Sequence, residues 1–291
     1  MHIGKLLYDK NDTKVIDCEF CGFAHLYPFP SEEKLNKIYS EDYYVKEKPN
    51  YISNYLRDSE WWNEVYKYRL SLLERYGNGL DKQLCDIGSG PGLLLKIAQE
   101  NGWNAFGYEP NFDAWNYSIE SGLNVRNEFF LGQESAMNFV YLGEVLEHLS
   151  DPAHFLKLIS KSMRKTGLLG IVVPNDFNII QRLLTDGMKF EEWFVAAPYH
   201  INYFNYNSLR TLLNKCNFEI VHSETTFCID MMLLLGENYL TDSDLGRKWH
   251  ERRMKWETDI LSTNPKLYEE FYTNIAKVGL GRELFVIAKV I

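Results

Sequence analysis

The segment Leu84-Cys85-Asp86-Ile87, followed by Gly88-Ser89-Gly90-Pro91-Gly92 and then Leu93-Leu94-Leu95-Lys96-Ile97-Ala98, admits few three-dimensional solutions. An apolar run too short for a helix ends in glycines at alternate positions and passes at once into an apolar helical pattern. It reads as a buried strand, a glycine turn and a helix start. A turn of that kind brings backbone against a small polar ligand. Asp86 sits at the strand end, and Glu109 follows about 20 residues later, after another short strand pattern. Glycines for close approach and a carboxylate for ribose hydroxyls are what an adenosine-containing cofactor needs.

The rest of the chain alternates in the same way. Strands are expected at 83–87, 105–108, 124–130, up to Gly143, and 168–173, with helices at 92–102, 112–122 and 152–165 between them. Asp151-Pro152 has the form of a helix start, and Thr166-Gly167 that of a stop. A helix (208–216), a strand (218–225) and a final β-rich strand (284–290) complete the pattern. Alternation with apolar strands means a mostly parallel sheet covered by helices on both faces. Before it lie short strands and turns over 1–30, a helix opened by Ser31 with Glu32 and Glu33 in its first turn, and a helical stretch from Tyr51 to Tyr76. This divides the chain into an N-terminal extension, 1–76, and a main domain, 77–291, with a charged, aromatic, helical insertion over 231–278.

A formal net charge of −9 speaks against nucleic acid as the main partner. No apolar run reaches the roughly 18 residues of a membrane span, and none at the N-terminus resembles a signal peptide. Five cysteines, an odd count, favour reduced thiols in the cytoplasm.

Two cofactors compete for the glycine turn. A dinucleotide turn runs G-x-G-x-x-G and offers N–H groups to a pyrophosphate. Here Gly88, Gly90 and Gly92 are closer together, Pro91 removes one N–H, and Asp86 would repel a pyrophosphate while welcoming an ammonium group.

With those details in place, Asp86 to Gly92 resembles the first motif of the class I S-adenosylmethionine-dependent methyltransferases. Glu109-Pro110-Asn111 is similar to their acid-ended second motif. Gly143-Glu144-Val145-Leu146-Glu147-His148-Leu149-Ser150-Asp151-Pro152 resembles the fourth-strand motif of the ubiquinone-biosynthesis-like branch, and Leu168 to Asn175 its fifth strand. Tyr199 to Phe204, Ser208-Leu209 and Phe218-Glu219-Ile220 match that branch's later part. The resemblance implies a Rossmann-like, seven-stranded, mostly parallel sheet with an antiparallel last strand, and S-adenosylmethionine as cofactor. It also implies roles. Gly88, Ser89, Gly90 and Gly92 would line the methionine part, with Asp86 near its ammonium. Glu109 would take the ribose hydroxyls, with Pro110 and Asn111 toward the adenosine. Glu144, Val145 and Leu146 would stand at the fourth-strand end beside the methionine moiety, and His148 would face the cleft where acceptor and methyl meet. The stretch Gln133 to Phe139 departs from the family in lacking the usual Phe-Asp.

The acceptor is less constrained. A hydroxyl acceptor needs a base, and His148 and His200 are the best candidates because histidine titrates near neutral pH. The N-terminal residues Cys18-Glu19-Phe20-Cys21-Gly22-Phe23, then Pro28 and Pro30, then Tyr39 and Asp42-Tyr43-Tyr44, resemble the front of methyltransferases from polysaccharide and sugar-modification pathways. Many of those relatives bind zinc through two cysteine pairs. Here one pair remains, and Cys18, Cys21, His25 and His2 would make an acceptable tetrahedral set. A small polar acceptor is implied, a sugar or a glycan or nucleotide-sugar precursor. Two other readings stand beside it: a non-catalytic adenosylmethionine-binding or assembly module, and a nicotinamide-dependent oxidoreductase. The insertion could serve as a substrate lid or a homodimer face. Its basic run, Arg247 to Arg253, could clamp an anionic substrate or simply be a solvated helix, and Trp61 and Trp62 read as core or lid packing.

Overall fold

The computed structural model describes residues 2–31 and 51–291; the helix expected from Ser31, and Tyr39 and Asp42-Tyr43-Tyr44 after it, lie outside the described residues. Three antiparallel strands open the chain: β1 (Gly4–Lys10), β2 (Thr13–Cys18) and β3 (Phe23–Leu26). The helical stretch that follows is two helices, α1 (Tyr51–Arg57) and α2 (Ser59–Tyr76), interrupted at Asp58. Then come β4 (Gln83–Ile87), α3 (Leu93–Glu100), β5 (Asn104–Tyr108), α4 (Phe112–Glu120), β6 (Val125–Arg126), β7 (Met137–Gly143), α5 (Pro152–Ser162), β8 (Met163–Pro174) and α6 (Ile179–Arg182). The chain ends with β9 (Asn202–Tyr203), α7 (Tyr206–Lys215), β10 (Phe218–Thr225), α8 (Met231–Leu234), α9 (Ser243–Thr263), α10 (Pro265–Lys277) and β11 (Glu283–Val290).

The main sheet has seven strands in the order β10-β11-β8-β7-β4-β5-β6. β4, β5, β6, β7 and β8 are parallel, and β11 runs antiparallel to both of its neighbours, β8 and β10. This is the architecture expected from the alternation. Successive strand residues face opposite sides, so each strand feeds two cores. Cys85, Val140, Leu142, Ile171 and Val286 pack beneath α5 and α7, while Leu84, Phe139, Tyr141, Val172 and Phe285 pack against α2, α3, α9 and α10. Asp86 lies two residues after Leu84 and opposite Tyr141 in register, so its carboxyl belongs to the α2 side. Among the described residues no helix is long and apolar enough to cross a membrane.

Two boundaries differ from expectation. α5 stops at Ser162 and β8 starts at once, so Thr166-Gly167 lies inside a long strand rather than after a helix. Thr166 has φ 71°, and a Cβ on Gly167 would lie 3.0–3.1 Å from the carbonyl oxygens of Arg164, Asn138 and Met137. The pair bends the strand there, where its register with β7 shifts. The strand expected over 124–130 shrinks to Val125–Arg126, because only Gly107 and Tyr108 of β5 lie alongside it.

The small N-terminal sheet takes its fourth strand from far along the chain: β9 pairs with β3, setting Ala24 opposite Tyr203 and His25 opposite Asn202.

Candidate active site

The glycine turn after β4 folds back over the end of β5. The Gly88 and Ser89 N–H groups both donate to the Tyr108 carbonyl, at 2.8 and 3.1 Å. Gly88, Gly90 and Gly92 have φ of 75°, 54° and 82°, and a Cβ on Gly88 would sit 2.8 Å from Val145 Cγ2. Glycine is therefore required by backbone conformation and by the approach of the β7 loop. The Glu109 carboxylate accepts from the Gly90 N–H and the Asn111 N–H, each at 2.8 Å. Asn111 caps α4 through Ala114 N–H at 3.0 Å. The turn, Glu109 and Asn111 thus form one hydrogen-bonded corner, with Pro110 between its two acceptor contacts.

Asp86 and Glu109 are both buried. Burial, helped by the charge on Glu109, raises Asp86 to about 8. Burial raises Glu109 to about 7 against the pull of its two backbone donors. Ser89 Oγ is buried with no hydrogen-bond partner among the described residues. A corner holding two reluctant carboxylates and an unsatisfied hydroxyl is shaped for a ligand that brings donors and positive charge.

At the end of β7, Glu144 has φ 56°, in the left-handed region, and its N–H donates to Val172 O at 3.0 Å. Strain of this kind at a strand end is common where a side chain must be aimed. Val145 packs over Gly88, whereas the Leu146 side chain lies wholly in the core and offers a ligand only its backbone. Beside Glu144 opens a cavity of about 310 Å³, lined by Tyr55, Trp61, Trp62, Tyr66, Tyr141, Asp58, Arg69, Glu144, His250, Arg253 and Glu283 among others. It lies on the α2 side of β7, the same side as Asp86, and shares Tyr141, the register partner of Asp86, though no residue of the glycine corner lines it. Residue-type reasoning missed Arg69 and Glu283. The signal for Arg69 was a charge on the apolar stripe Val65, Arg69, Leu72 and Leu73 of α2; it donates to Tyr141 Oη at 2.8 Å. Glu283 is driven toward its neutral form by burial and by Glu144.

His148 and His200 are brought together, their rings 5.0 Å apart and nearly perpendicular, but neither lines that cavity. His148 Nδ1 lies 3.0 Å from Tyr199 O, so Nδ1 carries the proton of the neutral ring and Nε2 the lone pair. Nε2 is 4.0 Å from Glu147 Oε1, and the ligating atoms of Glu147, His148 and His200 all fall within 4.8 Å of one another.

The N-terminal set also converges. One ligating atom from each of His2, Cys18, Cys21 and His25 lies within 4.8 Å of every other. His2 Nδ1 is 3.6 Å from Cys18 Sγ and 3.4 Å from Cys21 Sγ. His25 Nδ1 donates to Leu26 O at 2.7 Å, and its buried Nε2 has no hydrogen-bond partner among the described residues. A histidine fixed by a carbonyl on one nitrogen and presenting the other is the arrangement of a metal ligand.

A methyltransferase-domain family model matches residues 61–223, more than half of the chain. The chain belongs to the methyltransferase-domain family. Its fold is similar to that of a SAM-dependent methyltransferase from Archaeoglobus fulgidus, with TM-score 0.50 and 18% identity over 81% of this chain and 99% of that one. It is also similar to the plantazolicin methyltransferase BpumL in complex with SAH, with TM-score 0.53 and 13% identity over 89% of this chain and 98% of the other. No curated protein matches the chain. Its family is that of the methyltransferase domains, and its fold is one shared with SAM-dependent methyltransferases. Within that family, the matched segment contains the whole glycine corner, Glu144 and both candidate histidines, while His2, Cys18, Cys21, His25 and Glu283 fall outside it.

Proposed function

We propose that the chain transfers a methyl group from S-adenosylmethionine to a small polar acceptor, a sugar or a glycan or nucleotide-sugar precursor. The observation that carries the cofactor half is the buried Asp86–Glu109 corner with the orphaned Ser89 hydroxyl. Asp86 would hold the ammonium, Gly88, Ser89 and Gly90 the methionine chain, Glu109 the ribose hydroxyls, and Asn111 the adenosine side. The bound sulfonium supplies an already activated methyl, so the protein's main task is alignment. Asp86 in its carboxylic form would repel a pyrophosphate less, but Pro91 and the close glycine spacing still disfavour the nicotinamide reading.

The sugar half rests on the cavity. Aromatic lining (Trp61, Trp62, Tyr55, Tyr66) combined with carboxylates suits a polyhydroxylated ring better than a wholly apolar one. Glu144, inside the cavity, would take the proton of an acceptor seated there; His148, oriented by Tyr199 O and bordered by Glu147 and His200 outside the cavity, would be the base for an acceptor that reaches the Glu147–His148 turn. The test is acceptor-dependent release of adenosylhomocysteine across a panel of sugars and nucleotide sugars. Tight binding of adenosylhomocysteine with no release for any acceptor would favour the non-catalytic module.

A second reading concerns zinc. The convergence of His2, Cys18, Cys21 and His25 supports a structural, closed Cys2His2 site, with Leu26 O fixing the His25 tautomer. Elemental analysis of the purified chain against Cys18→Ser tests it.

A further inference from the structure

The basic run on α9 resolves into residues of unlike fate. Arg247 is spent on Asp58, at 2.9 and 3.2 Å, and on Glu251 at 2.8 Å. His250 is held by the same Asp58 at 3.1 Å. Arg252 lies over the Trp249 ring with its Cζ 5.0 Å from the centroid. Arg253 is different. Its guanidinium stacks on Trp61, Cζ 4.5 Å from the ring centroid, and lines the cavity. Its side chain is only 13% exposed, its Nε is buried, and among the described residues it makes no hydrogen bond.

The carboxylates around it do not supply one. Glu257 forms an ion pair with Arg253, 3.7 Å from its Nε and too far for a hydrogen bond, and already accepts from Trp61 Nε1 at 2.7 Å and from Tyr272 Oη. Asp58 is ion-paired with Arg247 and lies 3.1 Å from His250 Nε2. Glu283 is driven toward its neutral form by burial and by Glu144, with Arg253 and Arg69 opposing that drift. The other cavity cation, Arg69, is committed to Tyr141 Oη and to the Phe285 ring, 4.9 Å away. A largely buried guanidinium whose donors go unmet, held flat by a tryptophan, is preorganised for a planar or tetrahedral oxyanion.

We infer that Arg253 anchors an acidic group, a carboxylate or a phosphate, on the methyl acceptor, which makes the acceptor a small acidic molecule of sugar-acid or sugar-phosphate type. The inference rests on the cavity being the acceptor site of a methyltransferase. It also separates Arg253 from the rest of the run: Arg247 and His250 tie α9 to Asp58, and Arg253 faces the ligand.

The experiment is calorimetric titration of glucuronate, glucose 1-phosphate and glucose into the full chain saturated with adenosylhomocysteine. At least one acid should bind, with glucose at least about tenfold weaker. Arg253→Gln should weaken the acid by about tenfold or more, and Arg253→Lys, which keeps charge and loses the fork, should fall between. Adenosylhomocysteine affinity should stay at the wild-type value in both variants, which also reports that they fold. Which acid binds distinguishes carboxylate from phosphate. Glucose binding as well as the acids, acid binding unchanged in Arg253→Gln, or no binding of either acid up to about 10 mM overturns the assignment. If adenosylhomocysteine itself fails to bind, the methyltransferase reading falls, and the same titrations without it still read the Arg253 site.

Discussion

His25 and Asn202 stand opposite each other in register across β3 and β9, and the pair joins the two candidate centres of the molecule. His25 belongs to the N-terminal Cys/His cluster. The Asn202 side-chain amide donates to Leu146 O at 2.9 Å and Leu149 O at 2.7 Å, the two ends of the turn that carries Glu147 and His148. The Ile201 N–H donates to Glu147 O at 2.8 Å. One short strand thus fastens the Glu147–His148 turn to the sheet that holds the cysteines.

If a metal closes that cluster, its loss should be felt at the loop. Cys18→Ser is expected to abolish one equivalent of zinc, lower the melting temperature, and reduce turnover more than adenosylhomocysteine affinity, since the glycine corner lies elsewhere in the fold. Retained turnover with the metal gone would make the N-terminal cluster independent of the chemistry. Asn202→Ala should mimic the turnover loss while keeping the metal.

Glu109→Ala removes the acceptor of two buried N–H groups as well as the proposed ribose ligand. We expect adenosylhomocysteine affinity to fall at least about tenfold, and stability by about 1–3 kcal/mol for the unsatisfied donors. Calorimetry and chemical unfolding check the two effects separately; unchanged affinity would remove Glu109 from the cofactor site.

The pH behaviour of the corner has a definite sign. Asp86 at about 8 and Glu109 at about 7 lie above ordinary carboxylate values, so the ligand-free fold binds more protons than the unfolded chain across the interval up to those values. Their contribution to its stability is therefore greatest in mild acid and is lost as pH rises through 7 to 8. An ammonium on Asp86 and hydroxyl donors on Glu109 favour the ionised forms. Cofactor binding should then release protons at neutral pH, and affinity should rise from mild acid to mild base. Titration in two buffers of different ionisation enthalpy measures the release. Proton uptake on binding, or a release that Asp86→Asn leaves untouched, would contradict the assignment.

His148→Ala should leave adenosylhomocysteine binding near the wild-type value while lowering turnover by roughly 10²–10⁴-fold, the usual range for a lost general base. The comparison with Glu144→Gln decides which side of the loop takes the proton: the true base loses turnover and the basic limb of its pH profile, the other residue keeps both. A His148→Ala chain that fails to fold would assign the imidazole to holding Tyr199 in place.

Gly88→Ala probes the turn itself. A methyl there meets Val145 Cγ2 at 2.8 Å on a backbone of φ 75°. We expect a stability loss of about 1–3 kcal/mol and weaker cofactor binding, partly restored by Val145→Ala.

Much of this was legible in residue order. Spacing of apolar residues determined the alternation of strands and helices, because each strand must be buried on both faces and each helix on one. The glycine turn was legible because its backbone geometry admits few residue types, Glu109 because of its spacing after that turn, and the Glu144–His148 segment through its resemblance to a methyltransferase motif. Even the four N-terminal metal-ligand candidates could be named, since sulfur and imidazole in a short span have few other joint uses. Tertiary structure alone decided the rest. Whether α5 or β8 owned Met163 depended on pairing with Met137 of β7. Arg69 and Glu283 entered the cavity through strand register and helix packing, over separations that local pattern does not encode. The basic run on α9 looked uniform until Asp58, from the break between α1 and α2, tied down Arg247 and His250 and left Arg253 facing the cavity. Local chemistry is written residue by residue, but which buried donor is left without a hydrogen bond is a property of the packed neighbours.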